Sequence, residues 1–283
     1  MRNEFLWVEK YRPKTIDECI LPDSIKKTFN DFLAQGEIPN LLLAGPAGVG
    51  KTTVAKALCE QLGCDYILIN GSDEGRFLDT VRGQAKNFAS TMSLSASSNH
   101  KVIIIDEADN TTHDVQLLLR SNIEAFHKNC RFIFTCNYKN KIIEPLHSRC
   151  SVVEFSIKGK EKAEIQVSFF ERIVGILEKE GCDADKKVLL KLINKHFPDW
   201  RRTLNELQRY SVSGRIDSAI LADFSDVKVE DLIKSLKTKD YPTVRKWVNA
   251  NMDNDSAVLL RRIYDGLTVS LGGPSIAAAV LII

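Results

Sequence analysis

Gly45-Pro46-Ala47-Gly48-Val49-Gly50-Lys51-Thr52 lies between a short apolar run, Leu41-Leu42-Leu43, and a helical pattern from Thr53 to Leu62. The octet fits G-x-x-x-x-G-K-(S/T). Its glycines let the backbone curl so that successive N–H groups point at a chain of phosphates, and the next helix adds the partial positive charge of its N-terminus. In that setting Lys51 lies against the β- and γ-phosphates and Thr52 offers its hydroxyl to Mg²⁺. A glycine-rich turn with a solvated lysine is the plain alternative. The strand–loop–helix context weighs against it, and Gly45 to Thr53 are the candidate ATP-binding residues.

Outward from this loop, short β-branched or aromatic runs alternate with helical stretches: Tyr66–Ile69, Val102–Ile105, Phe132–Phe134 and Val152–Phe155. Such runs read as buried parallel strands with crossover helices, an α/β fold. Val102–Ile105 delivers Asp106-Glu107-Ala108-Asp109 to the carboxyl edge of its strand. Alone, those acids read equally well as a helix N-cap. Beside a phosphate loop they read as a site in which Asp106 holds Mg²⁺ and Glu107 polarises the attacking water. From Ile157 the spacing turns helical, with Ile173, Ile176 and Leu177, then Val188, Leu189, Leu192 and Ile193. We expect three domains: a P-loop ATPase domain over 1–156, a helical bundle over 157–221, and a further helical domain over 222–283 with Leu232, Ile233 and Leu236 on one face. The uncapped apolar end, Ile276 to Ile283, reads as a truncation inside that last domain.

Composition narrows the function classes. The chain has 283 residues, with 39 Lys plus Arg against 37 Asp plus Glu, a net charge of +2 and 44% hydrophobic positions. That is enough to bury a core, and a charge so close to balance leaves any nucleic-acid surface to local cations. Seven cysteines without a C-x-x-C pair suggest reduced thiols, with neither a disulfide framework nor a zinc module. Five histidines without H-x-x-x-H spacing give no metal site. No long apolar run spans a membrane, and Met1-Arg2-Asn3-Glu4-Phe5 is no signal core, so the expected location is the cytoplasm, without membrane contact.

Trp7-Val8-Glu9-Lys10-Tyr11-Arg12-Pro13, Asp106-Glu107-Ala108-Asp109, Ser148-Arg149-Cys150 and Phe197-Pro198-Asp199-Trp200-Arg201-Arg202-Thr203-Leu204-Asn205 together resemble the boxes of AAA+ clamp-loader ATPases. Over roughly Trp7 to Tyr210 their order is similar to replication factor C small subunits. Thr15-Ile16-Asp17-Glu18-Cys19-Ile20-Leu21-Pro22, Asn70-Gly71-Ser72-Asp73 and the Phe197-Pro198-Asp199-Trp200 entry look more like the clamp-loader large subunits of T-even-type phages. The resemblance implies an AAA+ domain with a parallel sheet, a helical lid and a partial all-α collar, and a host cytoplasm if the chain is phage-encoded.

It also implies roles. Val8, Glu9, Lys10, Tyr11 and Ile20 would line the adenine pocket. Asn137 matches the polar sensor 1 that positions the attacking water, and Arg201, rather than its neighbour Arg202, matches the sensor 2 arginine of the lid. Arg149 matches an arginine finger acting in trans on a neighbouring copy's ATP; outside the motif it would read as a surface salt bridge. Arg82 and Lys86, at i and i+4 beside the stripe Val81, Ala85 and Phe88, would touch primer–template phosphates; by spacing alone they read as a solvated helix face. Gln116 and Arg120 resemble relay residues coupling DNA to Glu107, or plain helix-surface polarity. Met92 and Leu94 would dock on the sliding clamp, and Trp200 would pack the lid helix. The implied cofactors are ATP and Mg²⁺. The implied partners are a sliding clamp, primer–template DNA, identical copies and a distinct small clamp-loader subunit. In the implied cycle ATP assembles copies into a spiral that opens the clamp, and hydrolysis releases it closed on DNA. Rival readings are another AAA+ motor of the branch-migration helicase type, and a non-hydrolysing clamp-loader scaffold.

Overall fold

The computed structural model describes residues 5–72, 83, 85–91, 100–157, 159, 161–212, 214–216, 229–250, 260, 263, 264 and 266. The chain divides into two units, Met1–Asp217 and Ser218–Ile283. The first is built on five strands: β1 (Leu41–Ala44), β2 (Tyr66–Asn70), β3 (Lys101–Asp106), β4 (Cys130–Cys136) and β5 (Ser151–Glu154). All pairings are parallel, in the order β2-β3-β4-β1-β5. Strands covered on both faces need apolar side chains in both directions, which is why these runs show no polar alternation.

The period of two splits the inner strands β1, β3 and β4 between two cores. Leu41, Leu43, Ile104 and Ile133 face α2 (Asp23–Gln35) and α3 (Lys51–Leu62), packing with Phe29, Val54 and Leu58. Leu42, Ile103, Ile105, Phe132 and Phe134 face the other way, against Val115, Leu119 and Ile123 of α5 (His113–Phe126). Each such fully buried side chain contributes about 1.5–3 kcal/mol of transfer free energy. Between β2 and β3, the short α4 (Lys86–Ser90) buries Ala89. α6 (Glu144–His147) precedes β5.

Three helices carry the lid: α7 (Glu161–Glu180), α8 (Lys186–His196) and α9 (Trp200–Ser211). Ile173, Ile176, Leu177, Val188, Leu189, Leu192 and Ile193 are buried, as their spacing requires. Asp185 caps α8 by accepting from Lys187 N, and Asp199 caps α9 by accepting from Arg202 N. The reading of this region as purely helical needs one correction. β6 (Asp183–Ala184) pairs in parallel with β7 (Arg215–Ile216), tying the α7–α8 connection to the chain after α9.

The lid is joined to α1 (Trp7–Lys10) and the turn after it. Trp7 N donates to Gln208 Oε1 at 2.9 Å, while Arg172 Nη2 and Nη1 donate to Tyr11 O and Glu18 O at 2.8 Å each. In the second unit, α10 (Val229–Lys237) and α11 (Tyr241–Ala250) are described. Leu232 and Ile233 are buried there, but Leu236, expected on the same face, is 44% exposed near the end of its helix. The apolar end Ile276 to Ile283 lies outside the described residues. Among the described residues no helix is long and apolar enough to cross a membrane.

Candidate active site

Three adjacent strands supply the site from their carboxyl ends. The phosphate loop follows β1, Asp106 and Glu107 end β3, and Asn137 follows β4, so the sheet order sets them side by side. Gly48 and Gly50 take positive φ, +77° and +94°, which opens the loop as the motif requires. Lys51 is 8% exposed; its Nζ donates to Gly45 O and Pro46 O at 2.7 Å each and to Asn137 Oδ1 at 2.9 Å. Burial pushes its pKa below the ordinary lysine value, partly offset by Cys136, Asp106 and Asp109.

Asp106 Oδ1 accepts two hydroxyls, from Thr52 at 2.6 Å and from Thr135 at 2.5 Å. Thr135 in turn accepts from Glu107 N at 3.0 Å, and Glu107 has a left-handed backbone, φ 55°. Asp109 is buried, and its Oδ2 accepts from Asn137 N and Tyr138 N, both at 3.1 Å. Sequence reasoning passed over Thr135 and gave Asp109 no role. The available signals were a hydroxyl inside an otherwise apolar strand and the last acid of the Asp106–Asp109 run.

A second, apolar pocket adjoins this cleft. Val8, Tyr11 and Ile20 line it, together with Val49, Leu204, Phe169 and Trp200. Two of the expected lining residues need correction. Glu9 pairs with Arg12, and Lys10 pairs with Glu180 at 2.6 Å, so both exposed side chains are turned to charged partners and neither lines the pocket. Arg12, Cys19, Leu21 and Arg172 are lining residues that the sequence did not suggest. Arg201 lines both the apolar pocket and the phosphate cleft, whereas Arg202 is turned toward Glu206, 3.7 Å away. Trp200 packs as expected, its ring centroid 4.1 Å from that of Phe169, and its backbone N–H donates to Gly48 O at 3.2 Å. The lid therefore rests directly on the phosphate loop.

Arg149 is elsewhere. It immediately precedes β5, whose first residue, Ser151, is in register with Leu41 at the start of β1. In a parallel sheet that is the edge opposite the phosphate loop, about 13 Å away along a four-residue strand. Gln116 is buried and holds the loop after β4, accepting from Ile143 N at 2.8 Å and donating to Lys141 O at 3.1 Å. Lys86 is exposed at the start of α4, with Ala85 buried and Phe88 half-buried, whereas Val81, Arg82, Met92 and Leu94 lie outside the described residues. No cluster of His, Cys, Asp and Glu suited to a metal occurs among the described residues, and all seven cysteines are free thiols.

Two family models match the chain. The ATPase family associated with various cellular activities (AAA) covers residues 41–157, and the AAA+ ATPase lid domain of sliding-clamp-loader large subunits covers residues 161–222. The sliding-clamp-loader large subunit of Enterobacteria phage T4 is 43% identical over 86% of this chain and 76% of its own length. A replication factor C small subunit of Natronomonas pharaonis is 34% identical over 96% of this chain and 79% of its own. The fold is also that of the Thermotoga maritima RuvB Holliday junction branch migration motor, with a TM-score of 0.55 at 22% identity over 98% of this chain and 86% of that one. At that identity the likeness extends to architecture alone. The two family models together run from the phosphate loop through the lid, and with the likeness to the phage and archaeal proteins they show that the chain belongs to the sliding-clamp-loader family of AAA ATPases.

Proposed function

We propose that this clamp-loader ATPase works as a switch on contacts between copies. ATP binding in several copies opens a sliding clamp and grips primer–template DNA, and hydrolysis, stimulated by both, releases the clamp closed on DNA. Identical copies and a distinct small subunit complete the assembly. The observation that carries this reading is the position of Arg149: it lies at the sheet edge opposite its own Lys51, which supports a role on a neighbour's nucleotide.

Residues present fit Mg²⁺ and ATP. Thr52 and Asp106 supply hard oxygen donors, and the backbone of Gly45 to Thr53 suits a phosphate chain. Thr52 and Asp106 would hold Mg²⁺, which neutralises charge on phosphate oxygens when bound. Lys51 binds the β- and γ-phosphates as an already desolvated cation, so its charge acts in a medium poor in water. Glu107 takes up the developing proton of the attacking water, and Asn137 orients that water. Arg201 from the lid and Arg149 from the next copy stabilise charge accumulating on the γ-phosphoryl oxygens. Val8, Tyr11 and Ile20 enclose the base. Lys86, with Arg82, would contact DNA phosphates, which adds affinity without sequence preference and suits action anywhere on a genome. Met92 and Leu94 would anchor the clamp.

The test is ATP hydrolysis by the assembled protein with and without primed DNA and clamp. Glu107→Gln is expected to bind ATP normally while turnover falls by about 10²-fold or more. Arg149→Ala is expected to lower turnover by about 10³-fold, and it should be rescued in mixtures with Lys51→Ala chains that still carry the arginine. A wild-type chain indifferent to DNA and clamp, or an Arg149→Ala chain at full speed, overturns the proposal.

A further inference from the structure

The guanidinium of Arg149 is held on three sides. Its Nε donates to Glu124 Oε1 at 2.9 Å and its Nη2 donates to the same oxygen. Its Nη1 donates to Pro145 O at 2.8 Å and Ser148 Oγ at 3.2 Å. Of the five N–H groups of a guanidinium, these contacts leave one on Nη2 for a further acceptor. Glu124 belongs to the last turn of α5, and the Nε of Arg120, one turn earlier, lies 3.9 Å from the same Oε1.

Glu124 is 51% exposed and Arg149 30%, and a surface pair of this kind adds little to folding stability. Its effect is on direction. An arginine on a three-carbon stem sweeps a wide arc, and a finger is useful only where its plane meets the phosphoryl oxygens. Glu124 ties that plane to a helix of 14 residues, about 21 Å long. The helix packs on the sheet through Val115, Leu119 and Ile123 and begins just after the Glu107–Asp109 turn.

We infer that Glu124 is a positioning residue for Arg149: it aligns the finger that one copy offers to the next, and α5 thereby links a copy's own acidic motif to the arginine it lends. The inference rests on the trans role proposed for Arg149. The guanidinium holds the Glu124 carboxyl below the ordinary carboxylate range, chiefly by hydrogen bonding, so the pair stays charged at neutral pH.

The experiment compares Glu124→Ala, Glu124→Gln, Arg149→Ala and the double variant Glu124→Ala/Arg149→Ala. DNA-stimulated ATP turnover and melting temperature are measured on the full chain in its assembly. Glu124→Ala is expected to lower kcat about tenfold while KM for ATP stays within about twofold and the melting temperature is unchanged. Glu124→Gln keeps an acceptor oxygen and falls less, about threefold. The double variant is expected to match Arg149→Ala alone. A Glu124→Ala chain at wild-type speed removes the inference, as does a faster one, which would make Glu124 a mask. A double variant slower than Arg149→Ala also removes it, and so does a kcat loss accompanied by a lower melting temperature. Arg149→Ala at full turnover would remove the trans reading as well; a slow Arg149→Ala beside an indifferent Glu124→Ala removes the alignment alone.

Discussion

Thr135 is buried to 1% exposure between two acidic residues, donating to Asp106 Oδ1 and accepting from Glu107 N. Thr135→Val keeps the shape and deletes both bonds, leaving the Glu107 N–H without its partner. The expected loss is about 1–3 kcal/mol in denaturant unfolding, with turnover falling because the carboxylate of Glu107 is no longer fixed. Gly48 is a second sensitive position: a Cβ there would lie 1.9 Å from Asp199 Oδ1 and 3.0 Å from Asp199 Cα, on a backbone of φ +77°. Gly48→Ala is expected to cost about 1–3 kcal/mol and to weaken ATP binding by lifting the lid, both measurable by calorimetry. At this scale the sequence was legible where chemistry is written as a local motif. Lys51, Thr52, Asp106 and Asn137 meet in one cleft, as their motif positions implied. Thr135 and Asp109 act through hydrogen bonds to residues on another strand or loop, and no spacing along the chain records that.

Among elements, Trp200 at the start of α9 ties that helix to Phe169 of α7. Trp200 packs on Phe169 at a tilt of 37°, meets Phe197 edge-on with centroids 5.4 Å apart, and lines the apolar pocket. Trp200→Ala is expected to cost about 3–5 kcal/mol, read as a lower lid melting transition and a larger Kd for ATP, while Glu107 and its partners stay in place. The five strands of the sheet were readable to within a residue or two at each end: β1 and β3 are covered on both faces and almost wholly apolar, while β2 and β5 show as short runs of β-branched and aromatic residues. The β6–β7 pair was not. Two residues on each side carry no period, and their pairing depends on lid helices bringing distant segments together.

At the level of the whole chain, thiol chemistry gives a global readout. Burial raises Cys19, Cys130 and Cys150 to about 12 and Cys136 to about 11, and it pushes Cys59 up as well. The thiolate is the reactive form, so a thiol with a pKa near 12 is about 10⁻⁴ ionised at pH 8 and gains about tenfold per pH unit. Iodoacetamide at pH 8 is expected to label native protein chiefly at the partly exposed Cys182, and all seven cysteines after denaturation, as read by mass spectrometry. Early labelling of Cys136 would mean that the core beneath the phosphate loop opens.

The sheet has its phosphate loop at one edge and Arg149 at the other. On the function proposed above, copies must therefore join head to tail, since a two-fold pair would need both edges inside one self-complementary patch. A row built that way and left unclosed has unlike ends. One terminal copy keeps a pocket that nothing completes, the other an arginine with nothing to act on, and the row runs with one fewer working engine than it has members. Any unlike subunit that joins meets a different surface at each end, and that polarity decides on which side it caps the row.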